Sequence, residues 1–393
     1  MTYATMWTYP WDLLDDGVET VLRYLKDEVG LDAVSVATSY HSVEHLRPHT
    51  RGGRRYFIAD GAVYFRPDPE LWQGAPLQPI VSPLAQRQDP LALIGEAAEK
   101  IGIKLVSWTV CLHNSNLGRR YPHAVQRNAF GDPYPPYLCP SNPDVQDYVE
   151  RLTKNLASRY PLFAVELESL SFGSFPHFHG HEKVGFELSS VGRAFLSFCF
   201  CEHCRREAEE EGVEVAALQQ WVQDVLLQIF ERGGPLEGAP HISELLREDL
   251  QRFDAIRRET VAALHRRVKR AVGERAYVIG MEMGSPLTTG FDGSAIAPIV
   301  DAYEVLAYTT QAEVVEQRVQ AALRFCEPDD LIVGLSALSE HAPSPKVLAA
   351  NVRRALSLGV RGFSFYNYGI MPRRHLQWVA EAVRQIRKAD TGS

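Results

Sequence analysis

Residues 331–369 read LIVGLSALSEHAPSPKVLAANVRRALSLGVRGFSFYNYG, a complete strand–helix–strand unit. Its two ends are rich in β-branched, aromatic and other apolar residues over roughly four to eight positions, which is typical of strands. The pair Ser344-Pro345 predicts a helix start, because the N–H that proline lacks would have no partner in the first turn. Gly359 is placed to end that helix. A helix between two strands predicts that the strands run parallel.

The same alternation runs along the whole chain. The predicted strands are 2–9, 33–41, 104–112, 162–170, 276–284, 301–309, 331–338 and 362–369. Predicted helices cover 17–29, 311–326 and 372–388, and three more start at Asp89-Pro90, Asn142-Pro143 and Ser344-Pro345. Eight such units predict an α/β fold, a (β/α)8 TIM barrel that takes up residues 1–393 as a single domain. The alternative is a doubly wound open sheet with an extra domain, but no G-x-G-x-x-G follows the first strand to support dinucleotide binding.

Three connections between predicted strands are long. They are residues 42–88, residues 113–141 and an insertion after strand four with a helical region at about 186–242. All three leave the C-terminal ends of strands, where barrel enzymes build their sites. Long loops in a compact domain are usually functional. We therefore expect the functional site at this end of the barrel.

Composition excludes several classes of protein. Hydrophobic residues make up 45% of the chain and charged residues 23%, a globular mixture. The net charge of −8 argues against a nucleic-acid or anionic-membrane partner, because both need a concentrated basic face. No apolar run approaches the ~20 residues of a membrane span, and the N-terminus does not have the pattern of a signal peptide. The expectation is a cytoplasmic protein that acts on a small molecule or an oligosaccharide, with a homo-oligomer left open.

The sharpest local motif is Cys199-Phe-Cys201-Glu-His203-Cys204. Three thiols in six residues can close on one ion, and structural zinc requires four such ligands in a tetrahedron. Cys139 is the preferred fourth ligand, with Cys111 and His203 as the other candidates. The alternative is a set of reduced thiols without a metal. Four thiolates would leave no open position for substrate, so the zinc would be structural.

Carboxylates mark the ends of three predicted strands. In strand four, Glu166 and Glu168 share a face that should point into the barrel, with Glu168 nearer the C-terminal end. In strand five, Glu282 is expected on an inner face that it shares with Gly280 and Gly284, whose lack of side chains would leave room for a ligand. Glu340 follows strand seven. Paired carboxylates at a barrel mouth are what glycoside hydrolysis needs, one as acid and one as nucleophile or base. For Glu166 and for Glu304 on strand six, a structural ion pair is the competing interpretation.

Aromatic and polar residues gather at the same strand ends. The aromatic set is Trp7, Tyr9, Tyr40, Trp108, Tyr308, Tyr366 and Tyr368, and the polar set is His41, His113, Asn114 and Asn367. Aromatic planes can stack on sugar rings and the polar groups can bind hydroxyls, whereas ordinary core packing is the alternative for any single aromatic residue. Of these, Trp7, Tyr40, His41, Trp108, His113, Asn114, Tyr308, Tyr366 and Asn367, together with Glu166, are the predicted substrate-binding residues.

The Cys139-Pro140 segment before strand four and the C-x-C-x2-C cluster after it resemble glycoside hydrolase family 42, the barrel β-galactosidases of clan A. The likeness covers roughly residues 100–210, and elsewhere only the barrel. It implies that Cys139, Cys199, Cys201 and Cys204 bind zinc, that Glu168 is the acid/base and that Glu340 is the nucleophile. The chain departs from the family, because Leu167 stands where an Asn precedes the acid/base and the motif around the nucleophile is missing. The chain would be a remote single-domain relative, and galactoside specificity does not follow.

The leading hypothesis is therefore a glycoside hydrolase, with Glu168 as general acid/base, Glu340 or Glu282 as the second carboxylate and a structural zinc. A second hypothesis is a non-catalytic carbohydrate-binding barrel. A third is a metal-dependent hydrolase or lyase that uses His41, His113 and the three histidines of residues 177–181.

Overall fold

The computed structural model describes residues 2–175, 183–234 and 247–391. Eight parallel strands of its main sheet, β1 to β8 in chain order, form a closed barrel, which confirms the predicted (β/α)8 fold. A short ninth strand, Ala62–Val63, pairs antiparallel with β2. The barrel strands are Tyr3–Thr8, Ala33–Tyr40, Lys104–Val110, Ala164–Glu168, Tyr277–Met281, Ala302–Leu306, Leu331–Ser336 and Gly362–Tyr366. The barrel closes because β1 pairs with both β2 and β8, for example Thr5 with Ala33 and Tyr3 with Gly362.

Each predicted strand coincides with an observed one, although the predictions extend too far at the C-terminal ends. β4 ends at Glu168 and β8 at Tyr366, whereas the predictions continue to residues 170 and 369. The residues beyond the strands turn into loops at the barrel mouth.

Helices surround the barrel and fill the long connections. They are Pro10–Asp16, Val18–Arg23 continued by the π-helix Tyr24–Val29, Pro69–Trp72, Pro83–Arg87, Pro90–Ile101, Ser115–Arg120, Pro143–Arg159, Ser190–Ser197, Glu202–Glu210, Val215–Arg232, Glu248–Val272, Pro286–Thr289, Gly293–Ile296, Ala312–Ala322, Pro345–Ser357 and His375–Thr391, with a short 3-10 turn at Pro328–Asp330. Asp89 and Asn142 cap their helices through side-chain oxygens, as their sequence context predicts. Ser344 precedes its helix without a side-chain capping bond. None of the helices in the described ranges is long and apolar enough to cross a membrane.

The barrel interior is built in layers. Its lower layer contains small and branched residues, namely Ala33, Val106, Ala164, Ile279 and Ile332. Its upper layer is aromatic and includes Trp7, Tyr9, Tyr40 and Trp108. On β4 the alternation is as predicted, because Val165 and Leu167 pack outward into the main core while Glu166 and Glu168 face inward.

The prediction of which residues of β5 face the barrel interior is wrong, because the observed alternation is shifted by one residue. Ile279 and Met281 face the interior, and a Cβ on Gly280 would meet Ile296 and Val300 on the outside of the sheet. Glu282 therefore follows the outer face. The period of two does not tell which face of a strand is inside when both faces are buried, as they are in a parallel barrel.

The loops at the C-terminal ends of β2 and β3 each contain an antiparallel hairpin. After β2, strand Val43–Leu46 pairs with Tyr56–Ala59. After β3, Val125–Arg127 pairs with Pro133–Leu138, and Cys139 follows directly. These loops build the rim around the barrel mouth.

Candidate active site

A cavity of about 130 Å³ opens at the C-terminal ends of β2 to β5. Glu168, the last residue of β4, lies in its wall. Among the described residues, Glu168 is the one carboxylate that lines this cavity. The cavity is therefore where the inward-facing carboxylate of β4 meets a space that a ligand could enter.

Glu168 is held by an indole from the neighbouring strand. Trp108 Nε1 donates a hydrogen bond to Glu168 Oε2 over 2.5 Å. Burial raises the pKa of Glu168 from 4.5 to about 7, although this hydrogen bond opposes the shift. A carboxyl group with a pKa near 7 can hold a proton at neutral pH and release it to a reacting group.

Residues from four loops complete the cavity wall. They are His41, Leu112, His113, Tyr137, Ser169, Ser171, Phe172, Gly173, Ser174, Met283, Gly284 and Thr289. The rings of His41 and His113 stack with centroids 4.6 Å apart, and Tyr137 lies 5.3 Å from His113. His41 and His113, which are predicted to bind substrate or, in the third hypothesis, a metal, thus lie together in the cavity wall. The three histidines of residues 177–181 lie outside the described residues.

The chain leaves β4 through a tight and unusual turn. Ser169 has φ = 55°, and among the described residues it is the one non-glycine with a positive φ. Such a conformation is unfavourable for a residue with a side chain and often accompanies a functional site. Four residues later, a Cβ on Gly173 would fall 2.1 Å from the Tyr137 ring. The loop can reach Tyr137 only because residue 173 is glycine.

Tyr137 is a wall residue that sequence reasoning missed. Its hydroxyl donates to the carbonyl of Ser174 over 3.2 Å. It lies two positions before Cys139, and this spacing from a proposed metal ligand was the signal that could have identified it. Ser169, Ser171 and Thr289 were missed as well, because polar residues in loops carry no periodic pattern.

The other predicted carboxylates occupy three different environments. Glu166 is buried in the interior and accepts a hydrogen bond of 2.6 Å from Trp7 Nε1. Glu340 lies in a turn after β7, with its side chain 68% exposed and 3.5 Å from His341. Glu282 accepts a hydrogen bond of 2.7 Å from Tyr303, whose ring packs against Phe325 on the outside of the barrel. Glu282 therefore does not face the barrel interior as predicted.

A tyrosine links the surroundings of Glu168 and Glu340. Burial raises the pKa of Tyr366, and the charges of Glu168 and Glu340 raise it further. The hydroxyl of Tyr366 lies 3.2 Å from that of Tyr9, which lies 3.1 Å from that of Tyr40. Both carboxylates thus act on one end of a chain of tyrosine hydroxyls below the barrel mouth.

Most predicted aromatic residues form one layer, but they differ in exposure. Trp7, Tyr9, Tyr40 and Trp108 are buried, and Tyr308 and Tyr366 are partly exposed on top of them. The buried four are part of the core, and none of these six aromatic residues is among those that line the cavity. Tyr368 lies apart from this layer and is hydrogen-bonded to Asp16.

The two predicted asparagines are buried and bonded to the backbone. Asn114 caps helix Ser115–Arg120 by accepting from Leu117 N over 2.9 Å. Asn367 accepts from Gly369 N over 3.0 Å. Neither is among the residues that line the cavity. Their contacts indicate that they shape the rim loops.

The four cysteines chosen from the sequence lie together. Cys139, Cys199, Cys201 and Cys204 are all buried, and their sulfurs lie within 4.8 Å of one another. Sγ of Cys139 is 3.5 Å from that of Cys201, 3.5 Å from that of Cys204 and 3.8 Å from that of Cys199. Cys111 and His203 do not belong to this group, which we call the thiol cluster.

The thiol cluster could hold a metal ion. Ligands at about 2.3 Å from a tetrahedral zinc are roughly 3.8 Å apart, close to the observed sulfur separations. The backbone N–H of Arg127 donates to Cys199 Sγ over 3.4 Å. Cys201 also stands at the N-terminus of helix Glu202–Glu210, where the helix dipole favours a thiolate. Four soft donors with this support fit zinc.

Solved structures with the same fold include several carbohydrate-active enzymes. The glycoside hydrolase domain of PgaB (BpsB) from Bordetella bronchiseptica has a TM-score of 0.60 at 14% identity, over 98% of this chain and 99% of that chain. A β-galactosidase from the Antarctic haloarchaeon Halorubrum lacusprofundi has a TM-score of 0.61 at 11% identity, over 98% of this chain and 58% of that chain. The catalytic domain of a β-amylase from Paenibacillus polymyxa has a TM-score of 0.57 at 11% identity, over 98% of both chains.

These similarities establish the fold alone, because the identities are 14% or lower. No family model matches the sequence, and no curated protein matches it. The resemblance to glycoside hydrolase family 42 therefore remains a hypothesis based on the cysteine motif and the position of Glu168.

Proposed function

We propose that this protein is a glycoside hydrolase in which Glu168 is the general acid/base. The observation that carries the proposal is the environment of Glu168. It is the last residue of β4 and its side chain faces inward. It borders a cavity at the barrel mouth, and burial raises its pKa to about 7. A glycosidic oxygen must be protonated as its bond breaks, and a carboxyl group that keeps its proton near neutral pH can supply that proton.

Glu340 is the proposed second carboxylate. Its exposed side chain is at the rim, and its charge acts on Tyr366 together with that of Glu168. Its position at the rim after β7 favours Glu340 over Glu282, which is bonded to Tyr303 on the outer side of the barrel. Glu340 would attack the anomeric carbon or activate a water molecule, according to its separation from Glu168 with substrate bound.

The thiol cluster would bind a structural zinc. Such an ion would join Cys139, which follows the hairpin after β3, to the segment 199–204 after β4. All four positions of a tetrahedral zinc would be taken by thiolates, so the ion would have no direct part in hydrolysis. Its contribution would be to fix the rim of the cavity.

The test is the turnover of aryl glycosides and of oligosaccharides by the wild type and by Glu168→Gln. The substitution keeps the shape of the side chain and an acceptor for Trp108, but it removes the transferable proton. We expect turnover of a substrate with a poor leaving group to fall by about 10²–10⁴-fold, the usual contribution of general acid catalysis.

Glu96→Gln is the matched control, because Glu96 is exposed on helix Pro90–Ile101. Its turnover should equal that of the wild type. If the wild type is active and Glu168→Gln retains full activity, Glu168 has no part in the mechanism.

A carbohydrate-binding barrel without catalysis is the second candidate. It is favoured by the exposure of Glu340 and by the presence of Glu168 as the one carboxylate among the described residues that line the cavity. This function would give thermal stabilisation by a sugar that is recovered intact, whereas the enzyme would release reducing ends.

A further inference from the structure

A second pair of carboxyl groups lies inside the barrel, one layer below Glu168. Glu166 on β4 is 1% exposed and Glu304 on β6 is 0% exposed. Trp7 Nε1 donates to Glu166 Oε2, and Ser364 Oγ donates to Glu304 Oε1. The remaining oxygens, Glu166 Oε1 and Glu304 Oε2, have no hydrogen-bond partner among the described residues. The two side chains are near enough for each to affect the pKa of the other.

Among the described residues, none of the charges that shift the pKa of Glu166 or Glu304 is positive. The titratable groups that interact with the pair include Tyr3, Glu168 and Tyr308, which are neutral or acidic. Two ionised carboxylates in contact inside a barrel would repel each other and would both lack solvation. The pair can be buried only if at least one of its members keeps a proton.

We propose that Glu166 and Glu304 share a single proton inside the barrel, and that the negative charge left on the pair holds the neighbouring Glu168 in its acid form. Glu166 is the donor of the pair and Glu304 the acceptor. Burial and then the charge of Glu304 raise the pKa of Glu166 well above its ordinary value. Burial raises the pKa of Glu304 to about 7, while its hydrogen bonds to Glu166 and Ser364 oppose the shift. Above this pH the pair therefore carries one charge.

The connection to Glu168 follows from the reciprocity of charge interactions. The charge of Glu168 raises the pKa of both Glu166 and Glu304. Coupled sites affect each other's ionisation equally, so a charge on Glu304 must make Glu168 harder to ionise. This second part rests on the proposed function of Glu168 as a general acid, whereas the shared proton does not.

Two variants separate the proton from the charge. In Glu166→Gln, the amide oxygen can still accept from Trp7 and the amide N–H can still donate to Glu304. This variant imitates the protonated Glu166 and keeps the negative charge. The double variant E166Q/E304Q also fills the space, but it removes the charge from the pair.

The first measurement is infrared spectroscopy at pH 8–9, where ordinary carboxyl groups are ionised. We expect the wild type to show a protonated carboxyl band that is lost in Glu166→Gln and kept in Glu168→Gln. If the wild type has no band that Glu166→Gln removes, the shared proton is refuted.

The second measurement is a carbon-13 NMR titration of the Glu168 carboxyl group, assigned by its loss in Glu168→Gln. The Glu168 carboxyl group should titrate alike in the wild type and in Glu166→Gln. In E166Q/E304Q it should titrate about one pH unit lower or more, as expected when a unit charge one layer away is lost. If the double variant titrates like Glu166→Gln, the effect on Glu168 is refuted and the shared proton stands.

A third variant covers the case in which the double variant fails to fold. In Glu304→Gln, burial should keep the proton on Glu166, so the infrared band should persist and Glu168 should titrate lower, as in E166Q/E304Q. A persisting band with a Glu168 titration like that of the wild type would refute the effect on Glu168. None of these measurements needs turnover, so inactivity of the wild type would overturn the proposed function without affecting the shared proton.

Discussion

The thiol cluster and the carboxyl groups of the barrel are two buried sets of ionisable groups, and they differ in how the cost of burying their charge is lowered. The cluster brings four sulfurs within 4.8 Å, an arrangement suited to a metal ion that neutralises thiolates. Among the described residues, the carboxyl groups of Glu166, Glu168 and Glu304 have no cation beside them and accept hydrogen bonds from indole or hydroxyl donors. Under the proposal above, retained protons limit their total charge. We expect the charged thiolates to be stabilised by a metal ion. We expect the carboxyl groups to be stable in the barrel as long as some of them keep their protons.

This difference gives the two regions opposite sensitivities. Removing a metal from the thiol cluster would take away the ion that links its four sulfurs, so the cluster should be sensitive to chelators. The carboxyl groups should instead be sensitive to pH, because each step that ionises one of them places an unbalanced charge in the interior.

The largest effect is expected for Cys204→Ala. The loss of one of four ligands should abolish tight metal binding and lower the free energy of unfolding by about 3 kcal/mol or more, because the binding energy of a structural metal is folding energy. Zinc content and urea denaturation measure the two consequences.

Cys111→Ala is the control for that substitution, because Cys111 is a buried thiol outside the cluster. It should keep its metal and lose only about 1 kcal/mol of packing energy. Equal destabilisation by both substitutions, with no metal in the wild type, would show that the cluster is ordinary core.

A smaller effect is expected in the pH dependence of stability. The pKa of Glu168 is about 7 in the folded protein and 4.5 ordinarily, so the folded state binds more protons between these values. Stability from this group is therefore fully present below about pH 4.5 and is lost as pH rises through 7, at most about 3 kcal/mol in total. Glu168→Gln should match the wild type at pH 4.5 and be more stable at pH 8. The urea midpoints of the two proteins are compared at each pH. If the difference between wild type and Glu168→Gln is the same at pH 4.5 and at pH 8, the prediction is wrong.

The smallest effect is expected for Tyr137→Phe. The substitution removes the hydrogen bond from the hydroxyl to Ser174 and keeps the ring against Gly173. We expect a loss of about 0.5–1.5 kcal/mol in unfolding free energy, with metal content unchanged. A loss of metal from this variant would show that the cavity wall and the thiol cluster form one unit.

Local patterns in the sequence predicted some of these features and could not predict others. The strands, the inward direction of Glu166 and Glu168 and the grouping of Cys199, Cys201 and Cys204 follow from short-range alternation and spacing. Cys139 lies 60 residues before Cys199, and its place before strand four is what favours it over Cys111 and His203. The face of Glu282 does not, because both sides of β5 are buried and the alternation has no polar phase. The pairing of Glu166 with Glu304 joins strands 138 residues apart, and it depends on the register of the closed barrel.

Cys139 also sets an order of events during biosynthesis. Its sulfur meets that of Cys204, which lies 65 residues later in the chain. The four sulfurs of the thiol cluster can therefore meet only after the ribosome has synthesised the chain as far as residue 204. A nascent chain that stops short of residue 204 has every residue of β1 to β4 and still lacks one sulfur of the thiol cluster.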